Sequence, residues 1–338
     1  MSRLLICDGN PLAWRSAQIY ENLRTKSGIQ TGIIFGALEN LIRGVTATKP
    51  DSIIVTWDIN RSRWRKELLP SYKCSRDVKK SASQVITIDN VAEQMLLTRK
   101  ILDRAGVHQI GVPGVEADDL IGILSSAFDQ TGSYDEVVIM SQDHDLHQLI
   151  RGRVKFYEPV KKQYITPDFV REKFSGFGPD DLTQIMALTG DGGDDIPGIN
   201  GIGDVYAVKF LKEFGSLEAL LDPANDDRLK TSKRGQSIID GRDIIRKALK
   251  LVTVPKVDDF SQYLNQAEIS AFVETVRLPP QADRFSFIGL AEQYELRKFI
   301  GSVDTILRDP PNFSGFEKWF EMTPERNFES DANLFWER

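Results

Sequence analysis

Three short apolar runs in this chain each close on an aspartate: "RLLICD" ends at Asp8, "SIIVTWD" at Asp58 and "EVVIMSQD" at Asp143. Near-continuous apolar strands of this kind belong in a parallel sheet covered on both faces, since a half-exposed strand would alternate with polar residues. Between the runs, segments 31–48 and 90–105 have helical spacing, so the order reads strand, helix, strand. That is the pattern of an open α/β sheet. Ligands of such sheets sit beyond the carboxyl ends of the strands, where the strand order reverses, and all three aspartates would point there.

Two further acidic groups stand outside the strands. "GVEADDLIGIL" reads as a helix with Glu116, Asp118 and Asp119 in its first turn, which alone could be helix-dipole compensation worth ~0.3 to 1 kcal/mol per charge. "LTGDGGDDIPGINGIG" puts Asp191, Asp194 and Asp195 in a glycine-rich turn, where aspartate is common for local reasons. Together with the strand-end aspartates and Asp145 they carry more weight, because crowded carboxylates repel and raise each other's pKa unless a cation sits among them. The three histidines, His108, His144 and His147, make no ligand set, with the last two expected to face solvent or substrate. Oxygen donors without imidazole or thiolate suit Mg²⁺, with Mn²⁺ as a substitute, rather than zinc. No glycine-rich loop followed by Lys and Ser or Thr is present, which argues against a nucleotide-triphosphate engine.

The Gly198, Gly201 and Gly203 stretch has two readings: a helix-hairpin-helix whose glycines let backbone amides approach a phosphate, or an ordinary helix connection. Basic residues gather in "NRSRWRKELLPSYKCSRDVKK", with Trp64 and Tyr72 among them. Such a run is commonly a solvated face, but this one follows the Asp58 strand and would overhang the acidic pocket, where aromatics among cations make a stacking platform for a single strand. A net charge of −6 argues against a chain coated in basic charge, and two cysteines cannot form a disulfide framework. The start lacks a long apolar stretch, so a reducing cytoplasm and no membrane are expected.

The elements "LLICDGN", "VTWDINRSRWRKELLPSYKCSRD", "EADDLIG", "SQDHDLHQL" and "GDGGDDIPGINGIG" together resemble the 5′ nucleases, the bacteriophage flap endonucleases and the 5′ nuclease domain of bacterial DNA polymerase I. The resemblance covers roughly residues 3 to 221. It implies an α/β parallel-sheet nuclease core with a helical arch and a helix-three-turn-helix DNA-binding region. It also implies two Mg²⁺ ions, K⁺ in the hairpin, and hydrolysis at 5′ flaps and 5′ ends of DNA, removing flaps or RNA primers in replication. Asp8, Asp58, Glu116, Asp118 and Asp143 take the first metal position, and Asp145, Asp191 and Asp194 complete the second. Lys73 and Arg76 take the place of arch residues that contact the scissile phosphate, and Tyr72 that of the stacking residue. Arg65, Lys79, Lys80 and the three hairpin glycines are further expected DNA contacts. The chain departs from the family's usual Gly at Gln142, Lys at His144, Asn at Asp195, and Phe at Trp57 and Trp64.

The expected organisation is a nuclease core over 1–185 with the arch at about 64–100, a hairpin region over 186–260, and a helical C-terminal region with an aromatic tail over 261–338. With no polymerase region following, a freestanding monomeric nuclease is the expectation. The tail could cover the protein's own core or dock on a replication protein. Competing readings are a metal-dependent ribonuclease of a related carboxylate-sheet fold, a DNA-binding relative weak in catalysis, and a toprim-like nicking domain. The toprim arrangement leaves Asp8, Asp58 and the hairpin unexplained.

Overall fold

The computed structural model describes residues 1–75, 88–257, 265–277 and 282–300. The three apolar runs form β1 (Arg3–Asp8), β2 (Ser52–Thr56) and β4 (Glu136–Met140), joined by β3 (His108–Ile110), β5 (Val154–Glu158) and β6 (Gln163–Ile165) in one sheet of order β3-β2-β1-β4-β5-β6. Every pairing is parallel except β5 with β6. The chain winds outward from β1 toward β3 and then returns to build β4 on the other side. The strand order therefore reverses between β1 and β4, and beyond their carboxyl ends lies the place where sheets of this kind form a ligand cleft.

Both faces are covered, as near-continuous apolar strands require. Leu4 and Ile6 point to one face, toward Leu120, Ile121 and Leu124 of the helix over Ala117–Thr131 and Phe272 and Val273 of Gln266–Arg277. Leu5 and Cys7 point to the other, toward the helices over Gly9–Ile19, Gly32–Thr48 and Ile88–Arg104, with Phe287 and Phe299 closing that side. A separate apolar cluster unites helices Leu182–Thr189, Asp204–Phe214 and Arg242–Val252 through Leu188, Leu211 and Ile245. The expected division at 185/186 falls inside the helix Leu182–Thr189, whose Leu182 packs with the sheet-side core and whose Ile185, Ala187 and Leu188 pack in this cluster. A fourth cluster, of Tyr72, Ile196, Ala248, Leu251 and Val252, ties the segment after β2 to these helices.

Of the expected arch, the structure describes the short helix Arg63–Leu68, capped by Ser62, and the chain as far as Ser75. Arg76, Lys79 and Lys80 lie outside the described residues, as does the aromatic tail. Among the described residues no helix is long and apolar enough to cross a membrane.

Candidate active site

The carboxylates collect where the strand order reverses. Asp8 ends β1, is 3% exposed, and accepts from Ser141 Oγ at 2.9 Å just past β4. Asp58 follows β2; its Oδ1 accepts from the Ala117 amide at 2.6 Å and its Oδ2 from Asn10 Nδ2 at 2.8 Å. The Ala117 contact docks the start of the following helix against β2. That helix brings Glu116 and Asp118 into the cleft. Asp143 Oδ1 accepts from the Asp145 amide at 2.8 Å, and Asp191 Oδ1 accepts from the Gly193 amide at 2.7 Å, so both loops are shaped by their own acidic side chains.

Burial and mutual repulsion shift these groups strongly. Burial, then the charge of Asp58, raises the Asp8 carboxyl well above its usual range, while burial, then Asp8 and Asp143, does the same to Asp118. Asp58 is pushed up to about 6 by burial and Glu116. Asp145 is pushed up to about 7 by burial and then by Asp143, Asp191 and Asp194, which links the two expected metal positions. Burial alone would raise Glu116 as well, but the charges of Lys73 and Arg65 outweigh it and hold that carboxyl below its usual range.

Lys73 enters the cleft from the segment after β2. Its Nζ lies 2.9 Å from Glu116 Oε1 and 3.4 Å from Asp194 Oδ2, in a side chain only 13% exposed. Tyr72 Oη donates toward the same two residues, at 2.8 Å to Glu116 Oε2 and 2.9 Å to Asp194 Oδ2. Tyr72, expected to stack on DNA, is 1% exposed here, its ring packed with Ile196 and Leu251.

Arg65, expected to contact DNA, is likewise buried at 4% exposure. Its guanidinium is spent on Asp119, at 2.7 Å to Oδ1 and 2.8 Å to Oδ2, on Glu116 Oε2 at 3.1 Å and on the Leu251 carbonyl at 3.1 Å. A two-pronged match of guanidinium to carboxylate is the strongest way to satisfy such a buried pair. Asp119 was the part of this arrangement that sequence reasoning passed over. The signal was present, because adjacent helical residues point about 100° apart, so Asp118 and Asp119 cannot both face one cleft. Replacing Arg65 with Met should destabilise the fold by ~3 to 5 kcal/mol, since Asp119 is left buried and uncompensated. Combining it with Asp119→Leu should recover much of that loss in denaturant unfolding, and wild-type stability of Arg65→Met alone would disprove the pairing's importance.

At the hairpin the glycines divide. Gly198 is packed against backbone, and a Cβ there would fall 2.0 Å from the Thr189 carbonyl oxygen, so helix packing rather than phosphate approach accounts for it. Gly201 has φ +77 in the turn, and Gly203 has open space around it. Arg234 covers this turn, its Nε donating to the Gly201 carbonyl at 2.9 Å and its guanidinium lying 3.7 Å above the Tyr206 ring. His147, expected at solvent or substrate, is 3% exposed, with its ring edge-on to Phe156 at 4.6 Å. Gln142 Oε1 accepts from Arg15 Nη1 at 2.7 Å at the rim of the cleft.

A parallel sheet with acidic strand ends, followed by a helical hairpin unit, is the architecture of the 5′ nucleases. This chain belongs to the 5′-3′ exonuclease family: residues 3–175 match its N-terminal resolvase-like domain and residues 177–274 its C-terminal SAM fold. It is 32% identical over 322 residues to the thermostable DNA polymerase I of Thermus aquaticus, covering 93% of this chain and 36% of that protein. Against DNA polymerase I of Mycobacterium tuberculosis it is 30% identical, covering 87% of this chain and 30% of that protein. The chain thus spans about a third of the length of these polymerases. The bacteriophage T5 flap endonuclease, in a complex with DNA and metal ions, shares the fold with TM-score 0.65 and 22% identity over 86% of this chain and 100% of that one. The T5 5′-exonuclease with bound zinc gives 0.64 and 23% over 81% and 98%, and the catalytic core of Rad2 with DNA substrate 0.51 and 15% over 91% and 92%.

Proposed function

We propose that this protein is a divalent-metal-dependent 5′ nuclease that hydrolyses phosphodiester bonds in DNA at 5′ flaps and 5′ ends. The observation that carries the proposal is the crowding of buried carboxylates beyond β1, β2 and β4, with the Lys73 ammonium among them. Such a set is costly to keep charged without a cation. Among the described residues no three acidic, histidine or cysteine side chains form a ready-made cage. The all-oxygen donor set suits Mg²⁺ or Mn²⁺ over softer metals, with waters and substrate phosphate oxygens completing the coordination.

In this reading Asp8, Asp58, Glu116, Asp118 and Asp143 would hold one ion and Asp145, Asp191 and Asp194 a second. Bound there, the pair would supply positive charge to an in-line displacement at phosphorus. Lys73 stabilises charge developing on the scissile phosphate. Arg65, Tyr72, Asn10 and Ser141 hold the carboxylates in place, and Asp143 and Lys73 face the reaction. Gly203 and Arg234 form the face offered to duplex phosphates. A K⁺ at the hairpin would take backbone carbonyls there, beside the Gly201 carbonyl that accepts from Arg234 Nε. All the named groups come from one chain, and a monomer suffices.

An end-labelled 5′-flap duplex should be cleaved near the flap junction with Mg²⁺ and left intact with chelator. Equal or faster cleavage of a matched single-stranded RNA would instead favour the ribonuclease reading.

A further inference from the structure

Lys73 adopts φ +56, a left-handed conformation that a residue with a Cβ rarely takes. Such a conformation persists only where the surroundings over-determine it. The ties are visible. The Lys73 amide donates to the Asp194 carbonyl at 3.0 Å, and two residues on, the Ser75 amide donates to Asp195 Oδ2 at 2.7 Å. Asp195 is itself left-handed, at φ +58, and its neighbour Ile196 is anchored by a pair of backbone hydrogen bonds with Asp191.

We infer that Asp195 is a positioning residue, whose side chain latches the Lys73–Ser75 turn onto the Asp191–Asp195 loop and so sets where the Lys73 ammonium stands. The inference rests on the proposed role of Lys73. Without the Asp195 acceptor, the turn loses its side-chain tie at the Ser75 amide and keeps the Lys73–Asp194 and Cys74–Ser71 main-chain bonds, so its C-terminal end can relax toward an ordinary backbone conformation. That swings the side chain away from Glu116 and Asp194, and small misplacements of a charged group are costly to a reaction rate. What the latch requires is an oxygen acceptor rather than a negative charge, so an amide should serve in its place.

The test uses Asp195→Gly, which removes the acceptor while easing the left-handed backbone, beside Asp195→Asn, which keeps an acceptor. In single-turnover cleavage of a 5′-flap duplex at saturating enzyme, Asp195→Gly should be slower by ~10-fold or more, with flap binding and half-saturating Mg²⁺ unchanged. Asp195→Asn should stay within ~2-fold of wild type, since its side-chain oxygen still accepts. Hydrogen exchange at the Ser75 amide should speed up in the glycine variant and not in the asparagine one. In a Lys73→Ala background, Asp195→Gly should cost little more, because residues acting as one unit do not add. Full loss in that background, a shifted Mg²⁺ requirement, an equally slow Asp195→Asn or an unchanged Ser75 amide would each overturn the inference. If Lys73→Ala itself cleaves normally, the reading of Lys73 fails before the latch is reached.

Discussion

Asp143→Asn should abolish Mg²⁺-dependent cleavage, by ~10³-fold or more, the upper range for losing one group that stabilises charge in the transition state, while flap binding stays close to wild type. Asp143 stands between the two carboxylate groups. After burial, the largest cause at each, its charge helps hold Asp8, Asp118, Asp145 and Asp191 above the usual carboxylate range. Exchanging this one carboxylate for an amide therefore weakens both proposed ion positions at once. Binding should survive, because the hairpin face around Gly203 and Arg234 belongs to a separate cluster of helices.

The same substitution has a second, independent consequence for stability. A carboxyl whose folded pKa lies above its unfolded value favours the fold while protonated and costs stability as pH rises through the folded pKa. With Asp58 raised from 3.8 to about 6 and Asp145 from 3.8 to about 7, the metal-free wild type should therefore lose stability as pH rises from about 4 to 7 and level off above that. Asp143→Asn removes one of the repelling charges, so in chelator at pH 8 it should melt higher than wild type. Near-normal turnover in this variant, or a lower melting point under those conditions, would sink the assignment of Asp143 to the centre of the site.

The central strands and their acidic ends could be read from sequence because both signals are local: an apolar run of strand length, then a carboxylate. Strands β3 and β6 are three residues each, and β5, "VKFYE", carries Lys155 within it, so none shows an unbroken apolar run. Local pattern also misleads about Arg65 and Tyr72. A basic run reads as a solvated face, and nothing near Arg65 in sequence announces Asp119, which lies 54 residues away. Gly198 misleads for the opposite reason: it sits in a motif that approaches phosphate, yet what forbids its side chain is the Thr189 backbone. Long-range pairing, rather than composition, separates the carboxylates of the site from the residues that hold them.

Lys73→Ala should lower single-turnover cleavage by ~10² or more, in the range found when one transition-state donor is removed, with little change in flap affinity. The structure sharpens why the two should come apart. Lys73 is not a cation on an open groove: its ammonium is mostly buried between Glu116 and Asp194, where it adds little to the long-range attraction of a DNA strand. Its charge matters when negative charge builds on a phosphate that has already entered the cleft, and interactions of that kind raise turnover more than binding. Lys73→Arg should not rescue, because a forked guanidinium cannot stand in for a compact ammonium held at one point between two carboxylates. Flap affinity should also keep its wild-type salt dependence, since removing a cation that neutralises a phosphate in the ground state would flatten that slope by about one ion. If saturating enzyme restored the full rate to Lys73→Ala, or the salt slope fell, Lys73 would be a ground-state phosphate ligand and its place in the reaction would have to be given up.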